Sequence, residues 1–163
     1  AEHLAARVLA YCLEFTEGIA FSRGLFDPDE PAISVRDLTG AYRAWIDIGS
    51  PDAARLHKAG KAAPRVAVYT HKAPAQLLAQ LAGERIHRAE SLELYSLDRE
   101  LVAGFVARLG RRTAFDLSVT DRHLFLSIDG AAGTADAGQR PAAATEMVRV
   151  LVEKSLDGKK SDV

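Results

Sequence analysis

Residues 45–61, WIDIGSPDAARLHKAGK, pass from an acidic, strand-forming run through a tight turn into a helix whose only charges after Asp52 are basic. Ser50 offers an N-cap, Pro51 suits the first helical position and Asp52 favours the positive end of the helix dipole. The pattern predicts a strand over 42–49 and a helix over 51–63 that Pro64 ends. Either this unit is scaffold, or it is half of a site.

Upstream, Leu4, Val8, Tyr11, Cys12 and Phe15 recur at spacings of three and four and predict an amphipathic helix over 2–15. GIAFS (18–22), AISVR (32–36) and YRAWIDIG (42–49) read as strands, the last two a hairpin joined by DLTGA. Downstream, RVAVYT (65–70) is a short buried-type strand, PAQLLAQLAGE (74–84) a helix and SLELYSL (91–97) a strand. Asp98 caps a helix over 98–110, and residues 113–128 alternate like a two-stranded hairpin turned at Asp121 and Arg122. The predicted order is αβββαβαβαββ, with no internal repeat.

At 163 residues, 48% hydrophobic and 26% charged, the chain fits one soluble domain spanning 1–128, a Gly- and Ala-rich linker or loop over 129–144, and a tail over 145–163. The tail suits a strand (Val148, Val150, Val152) as well as a helix (Met147, Val150, Leu151). Cys12 is the only cysteine, which excludes an internal disulfide and a thiolate zinc site and implies a reducing, cytoplasmic setting. No apolar run reaches membrane-spanning length and no export signal opens the chain, so no membrane partner is expected. The opening, in mid-helix pattern and without Met, predicts further residues before Ala1. Oligomeric state is not readable from the sequence.

The formal net charge of −1 hides a polarised front half. Residues 1–54 hold nine acids against four bases, whereas 55–72 hold Arg55, Lys58, Lys61, Arg65 and Lys72 with no acid. Carboxylates beside a basic helix suit a site for a hard cation and a phosphate together, since carboxylates bind the first and Lys or Arg the second. The plainer alternatives are a solvated basic face and a strand acid paired with a neighbouring base. Asp47 lies about 13 Å back from Pro51 along a strand rising about 3.3 Å per residue. Lys58 lies about 10 Å beyond it along a helix rising about 1.5 Å per residue. A helix folded back over its strand therefore brings Lys58 level with Asp47, which shares a strand face with Trp45 and Arg43. The five histidines are dispersed, which disfavours zinc, and GAAGTADAG lacks the lysine of a phosphate loop.

RVLAYCLEFTEGIAFSRGL (7–25), DEP (29–31) with RDLTG (36–40), and above all WIDIGSPDAARLHKA (45–59) resemble the YaeQ family of bacterial proteins. The resemblance covers residues 2–128, weakens after 72 and is lost from 129. It implies an α/β, restriction-endonuclease-like mixed sheet with an αβββαβ core flanked by helices, the fold of PD-(D/E)xK nucleases. It also implies metal-binding acids for Mg²⁺, carried over as Glu2 on the helix and Asp47 on the third strand, and a water-activating lysine. The usual lysine position is Gly49, with Lys58 as the migrated replacement, and the second-strand acid position holds Ala32, with Glu30 or Asp29 as substitutes. The incomplete motif leaves the enzyme question open. The leading reading is a nucleic-acid-binding module using Arg55, Lys58 and Lys61 with a degenerate metal site. The alternatives are an active Mg²⁺-dependent nuclease or phosphodiesterase with Asp47 and Lys58 as catalytic residues, and a protein-interaction domain without phosphate chemistry.

Overall fold

The protein is described by a computed structural model over residues 1–24, 27–128 and 146–148. Its elements are α1 (Glu2–Leu13), β1 (Ile19–Phe21), β2 (Ile33–Arg36), β3 (Tyr42–Ile48), α2 (Ala53–Ala62), β4 (Arg65–Thr70), α3 (Pro74–Leu81), β5 (Glu93–Ser96), α4 (Arg99–Arg108), β6 (Phe115–Thr120), β7 (His123–Ile128) and β8 (Glu146–Val148). A single 3₁₀ turn, Ala89–Ser91, precedes β5. The order predicted through residue 128 is reproduced element by element. Of the tail, residues 146–148 form a strand; the expected linker over 129–144 and the rest of the tail lie outside the described residues.

Among the described residues the mixed α/β architecture rests on a six-stranded sheet in the order β1-β2-β3-β4-β5-β8. β1, β2 and β3 are antiparallel neighbours, β3, β4 and β5 run parallel, and β8 closes the far edge antiparallel to β5. The parallel pairs need crossovers, and α2 and α3 supply them. At the β2–β3 turn, Asp37 Oδ1 accepts from the Thr39 amide (2.9 Å), the Thr39 hydroxyl (2.6 Å) and the Ala41 amide (3.1 Å), while Gly40 takes a φ of +86° that a side chain would resist.

Alternation along the strands divides the core. Ala44, Ile46 and Ile48 of β3, with Ala67 and Tyr69 of β4, pack with α1, α4 and the β6–β7 hairpin. Trp45, Val66, Val68 and Leu94 pack beneath α2 and α3. Burying each large apolar side chain contributes about 1.5–3 kcal/mol. The buried face of α1 is not the predicted stripe: Ala5, Ala6, Leu9 and Ala10 meet the core, while Leu4 and Phe15 are 46% and 73% exposed. Small side chains let the helix axis approach the sheet, and the bulkier residues flank the contact.

The β6–β7 hairpin turns where predicted, with Asp121 and Arg122 both at positive φ (48° and 62°), the backbone of a type I′ turn. Neither is glycine, so the turn carries strain that something must offset. Arg122 donates to the Tyr69 hydroxyl at 2.6 Å and lies 4.1 Å over the Tyr95 ring. Tyr69 donates in turn to Glu14, and Arg65 sits between Glu14 (2.7 and 3.0 Å) and Glu93 (2.6 Å). This network of two arginines, two carboxylates and two tyrosines ties the hairpin to α1, β4 and β5.

Candidate functional site

A cleft of about 780 Å³ with charged side chains in its lining opens at the C-terminal ends of the parallel strands β3 and β4, where ligand sites in open α/β sheets lie. Glu2 and His3 reach it from the start of α1, Asp27, Pro28 and Glu30 from the loop before β2, and Asp47 through Pro51 from the end of β3. Arg55, His71 and Lys72 complete the wall.

Asp47 sits at the bottom, 2% exposed, because β3 alternation places it beside Trp45 under α2. Its Oδ2 accepts from Arg55 Nε (2.8 Å) and from the Trp45 indole (3.0 Å). Its Oδ1 accepts from Arg55 Nη2 (2.8 Å) and, at 3.4 Å, from the Ala32 amide. A carboxylate offers about four lone-pair positions, and here each faces a donor. The Asp47 hydrogen bonds come first among the causes that hold the Arg55 proton more tightly than in free arginine.

Arg55 also clasps the loop: Nη1 donates to the carbonyls of Asp27 (3.2 Å) and Pro28 (3.0 Å), and Nη2 to that of Glu30 (2.7 Å). The helix that presents it begins at Ala53, capped by Asp52, whose Oδ1 accepts the Arg55 amide at 2.8 Å. The cap is thus Asp52 rather than the expected Ser50, because the two residues after Gly49 are still needed to turn the chain.

Lys58 does not reach Asp47 in this arrangement; it pairs with the exposed Asp29 on the same loop. Glu2 pairs with His71 Nε2 at 3.4 Å. Burial, followed by the charges of Arg7 and His71, pushes the His3 imidazole below its ordinary value. Glu30 lines the cleft with Glu2 and Asp47. Among the described residues no group of three or more His, Cys, Asp or Glu side chains is arranged to hold a metal ion.

The basic segment is therefore mostly neutralised: Arg55 by Asp47, Lys58 by Asp29 and Arg65 by Glu14 and Glu93. Lys61 and Lys72 are exposed, and neither joins an ion pair among the described residues. One buried cation escaped the sequence reading. Arg7, 4% exposed on α1, donates to the Ala32 carbonyl (3.1 Å) and to the Ser22 carbonyl (3.0 Å) and hydroxyl (2.9 Å), anchoring the ends of the loop that carries Asp27 and Glu30. Its only signal was a charge inside an otherwise small, apolar helix face.

Fold and site together define a mixed-sheet α/β protein with a cleft, charged residues among its lining, at the ends of its parallel strands. No helix among the described residues is long and apolar enough to cross a membrane. The family model of the YaeQ protein matches residues 1–136, and the chain belongs to the YaeQ family. It is 30% identical over 129 residues to the uncharacterized protein YaeQ of Escherichia coli (strain K12), covering 78% of this chain and 71% of that one. The Salmonella typhi counterpart is 28% identical over 127 residues, covering 77% and 70%. The crystal structure of YaeQ from Xanthomonas axonopodis pv. citri is similar at 31% identity with a TM-score of 0.67, covering 78% of this chain and 73% of that one. The Pseudomonas syringae YaeQ structure shares the fold at 23% identity and a TM-score of 0.66, covering 78% and 71%. The likeness to the family does not stop at residue 128, as the sequence suggests, but extends to 136.

Proposed function

We propose that this YaeQ-family chain is a nucleic-acid-binding module on a nuclease-type frame whose metal position has been given over to an ion pair. The αβββαβ order of residues 2–70, antiparallel to β3 and then parallel into β4, supports a restriction-endonuclease-like reading of the frame. The observation that carries the proposal is the state of Asp47. Every lone-pair position of the third-strand acid already faces Arg55, Trp45 or the Ala32 amide. A Mg²⁺ ion needs carboxylate oxygens at about 2.0–2.1 Å, so the residues as arranged do not fit it. Backbone binding then falls to the cations of the 55–72 segment that join no ion pair among the described residues, Lys72 in the cleft and Lys61 on α2, while Arg55 and Lys58 hold the loop.

Polarisation of fluorescein-labelled DNA and RNA oligonucleotides, titrated with protein across a salt series, tests this. Affinity should fall with salt. Each phosphate that a lysine neutralises on duplex DNA adds about 0.9 to the log–log slope, so Lys61→Ala with Lys72→Ala should flatten it by about 1.8. Absence of binding at low salt, or a slope the double variant leaves unchanged, overturns the proposal. A second reading, an active divalent-dependent nuclease, is favoured by Glu2, Glu30 and Asp47 lining one cleft. Mg²⁺-dependent cleavage of the same oligonucleotides that is lost in Asp47→Asn would establish it instead.

A further inference from the structure

We infer that Arg55 is a built-in cation, its guanidinium filling an oxygen cage that would otherwise take a hard divalent ion of the Ca²⁺ type. The cage consists of both carboxylate oxygens of Asp47 and the backbone carbonyls of Asp27, Pro28 and Glu30, drawn from a strand and a loop on opposite sides of the guanidinium. Guanidinium has five N–H donors, and each finds one of these five oxygens, at 2.7–3.2 Å. A two-oxygen carboxylate with several backbone carbonyls is the donor set of calcium sites, which hold six to eight oxygens at about 2.3–2.6 Å.

The loop shows the same demand. Three of the four carbonyls between residues 27 and 30 turn toward one guanidinium, two to Nη1 and one to Nη2, an arrangement of like dipoles that a positive group between them offsets. The side chains of Asp27 and Asp29 face elsewhere: Asp29 turns outward to Lys58, and Asp27 Oδ1 accepts the Asp29 amide at 2.8 Å. Arg55 thus does for the loop and β3 what a metal would do, in a form that no chelator removes. The inference shares with the proposed function the view of Asp47 as a filled cation position, but it does not depend on what the cleft binds.

Trp45 is the only tryptophan, and its indole nitrogen lies 3.0 Å from Asp47 Oδ2, so it should sensitise the luminescence of a Tb³⁺ ion bound in the cage. The wild-type chain should give no saturable Trp-sensitised Tb³⁺ signal, and its melting temperature should not move with EDTA or Ca²⁺. Arg55→Ser should gain a saturable signal that Ca²⁺ competes away and that Arg55→Ser with Asp47→Asn lacks. Should Arg55→Ser be unfolded in metal-free buffer, Ca²⁺ should restore its far-ultraviolet circular dichroism. A saturable, Asp47-dependent signal in the wild type, no gain in folded Arg55→Ser, or no refolding of the unfolded variant by Ca²⁺ would each overturn the inference. Oligonucleotide polarisation on the same wild-type sample reports separately on the nucleic-acid reading, which can fail while the Tb³⁺ result stands.

Discussion

Replacing Arg55 by methionine keeps most of the side-chain length and removes all five donors. Asp47, with 3% of its side chain exposed, then keeps only the Trp45 indole and the more distant Ala32 amide. Removing one partner of a buried pair costs about 3–5 kcal/mol, because the remaining charge stays desolvated. Arg55 is itself 23% exposed, so water can enter part of the vacated space, which places the expected loss near the lower end, about 3 kcal/mol. Urea unfolding followed by Trp45 fluorescence and by circular dichroism measures it, with coincident transitions supporting the two-state treatment. Adding Asp47→Asn removes the stranded charge, so the double variant should be more stable than Arg55→Met alone by about 1–2 kcal/mol. An Arg55→Met variant within about 1 kcal/mol of wild type, or a double variant as unstable as the sum of its parts, would refute the account of the pair as a buried, mutually dependent unit.

The Glu14–Arg65–Glu93 network makes stability pH-dependent. Burial pushes both carboxyls up, but hydrogen bonds from Arg65, with Tyr69 on Glu14 and Tyr95 on Glu93, outweigh it and hold both below their ordinary value. Depressed carboxyls stabilise above the unfolded value of about 4.3 and lose that stabilisation as pH falls through the folded values. The melting temperature of Glu14→Gln should therefore start lower and fall less between about pH 6 and pH 3 than that of wild type, and parallel curves would count against the network. At the hairpin, Arg122→Gly and Arg122→Ala both remove the guanidinium from Tyr69 and Tyr95, but only glycine relieves the left-handed backbone, so chemical denaturation should find the glycine variant about 1 kcal/mol the more stable. Gly60→Ala should destabilise by about 1–3 kcal/mol, since its new Cβ would stand 2.4 Å from the His87 carbonyl oxygen. Gly104→Ala, in α4 with nothing within 4 Å of the new atom, should stabilise by about 0.5–1 kcal/mol; equal effects of the two would contradict the packing described.

The fold was legible because local signals agreed with it. Asp98 caps α4 through the Leu101 amide at 2.7 Å, RVAVYT fills β4 from end to end, and the turn residues Asp121 and Arg122 fall where alternation breaks. The buried face of α1 was misjudged because periodicity weights large apolar residues, while a helix pressed against a sheet selects alanine. The hairpin's anchor was hidden for another reason. Glu14, Arg65, Glu93 and Arg122 come from four elements separated by tens of residues; the β4–β5 register, which sets Ala67 opposite Glu93 and Tyr69 opposite Tyr95, brings two of them together, and the packing of α1 and the β6–β7 hairpin on the sheet adds Glu14 and Arg122.

The site was half legible, and the missing half was geometric. Asp47 as the acid of interest and the return of a basic helix over its own strand follow from residues 45–61. Axial rise alone chose Lys58, but a helix also turns about 100° per residue. The residues of α2 that meet the sheet are Leu56, Ala59 and Gly60. Lys58 is two steps past Leu56, about 200° around and so on the side away from the sheet. Arg55 is one step before it, about 100° away, at the edge of the buried face, where a long side chain can reach down beside the strand. The reach that remained for Lys58 was outward to the loop, and Asp29 meets it there. Rise and azimuth taken together therefore select Arg55 as the cation for Asp47, and a guanidinium rather than an ammonium at that position allows one residue to hold both a carboxylate and three carbonyls of the loop.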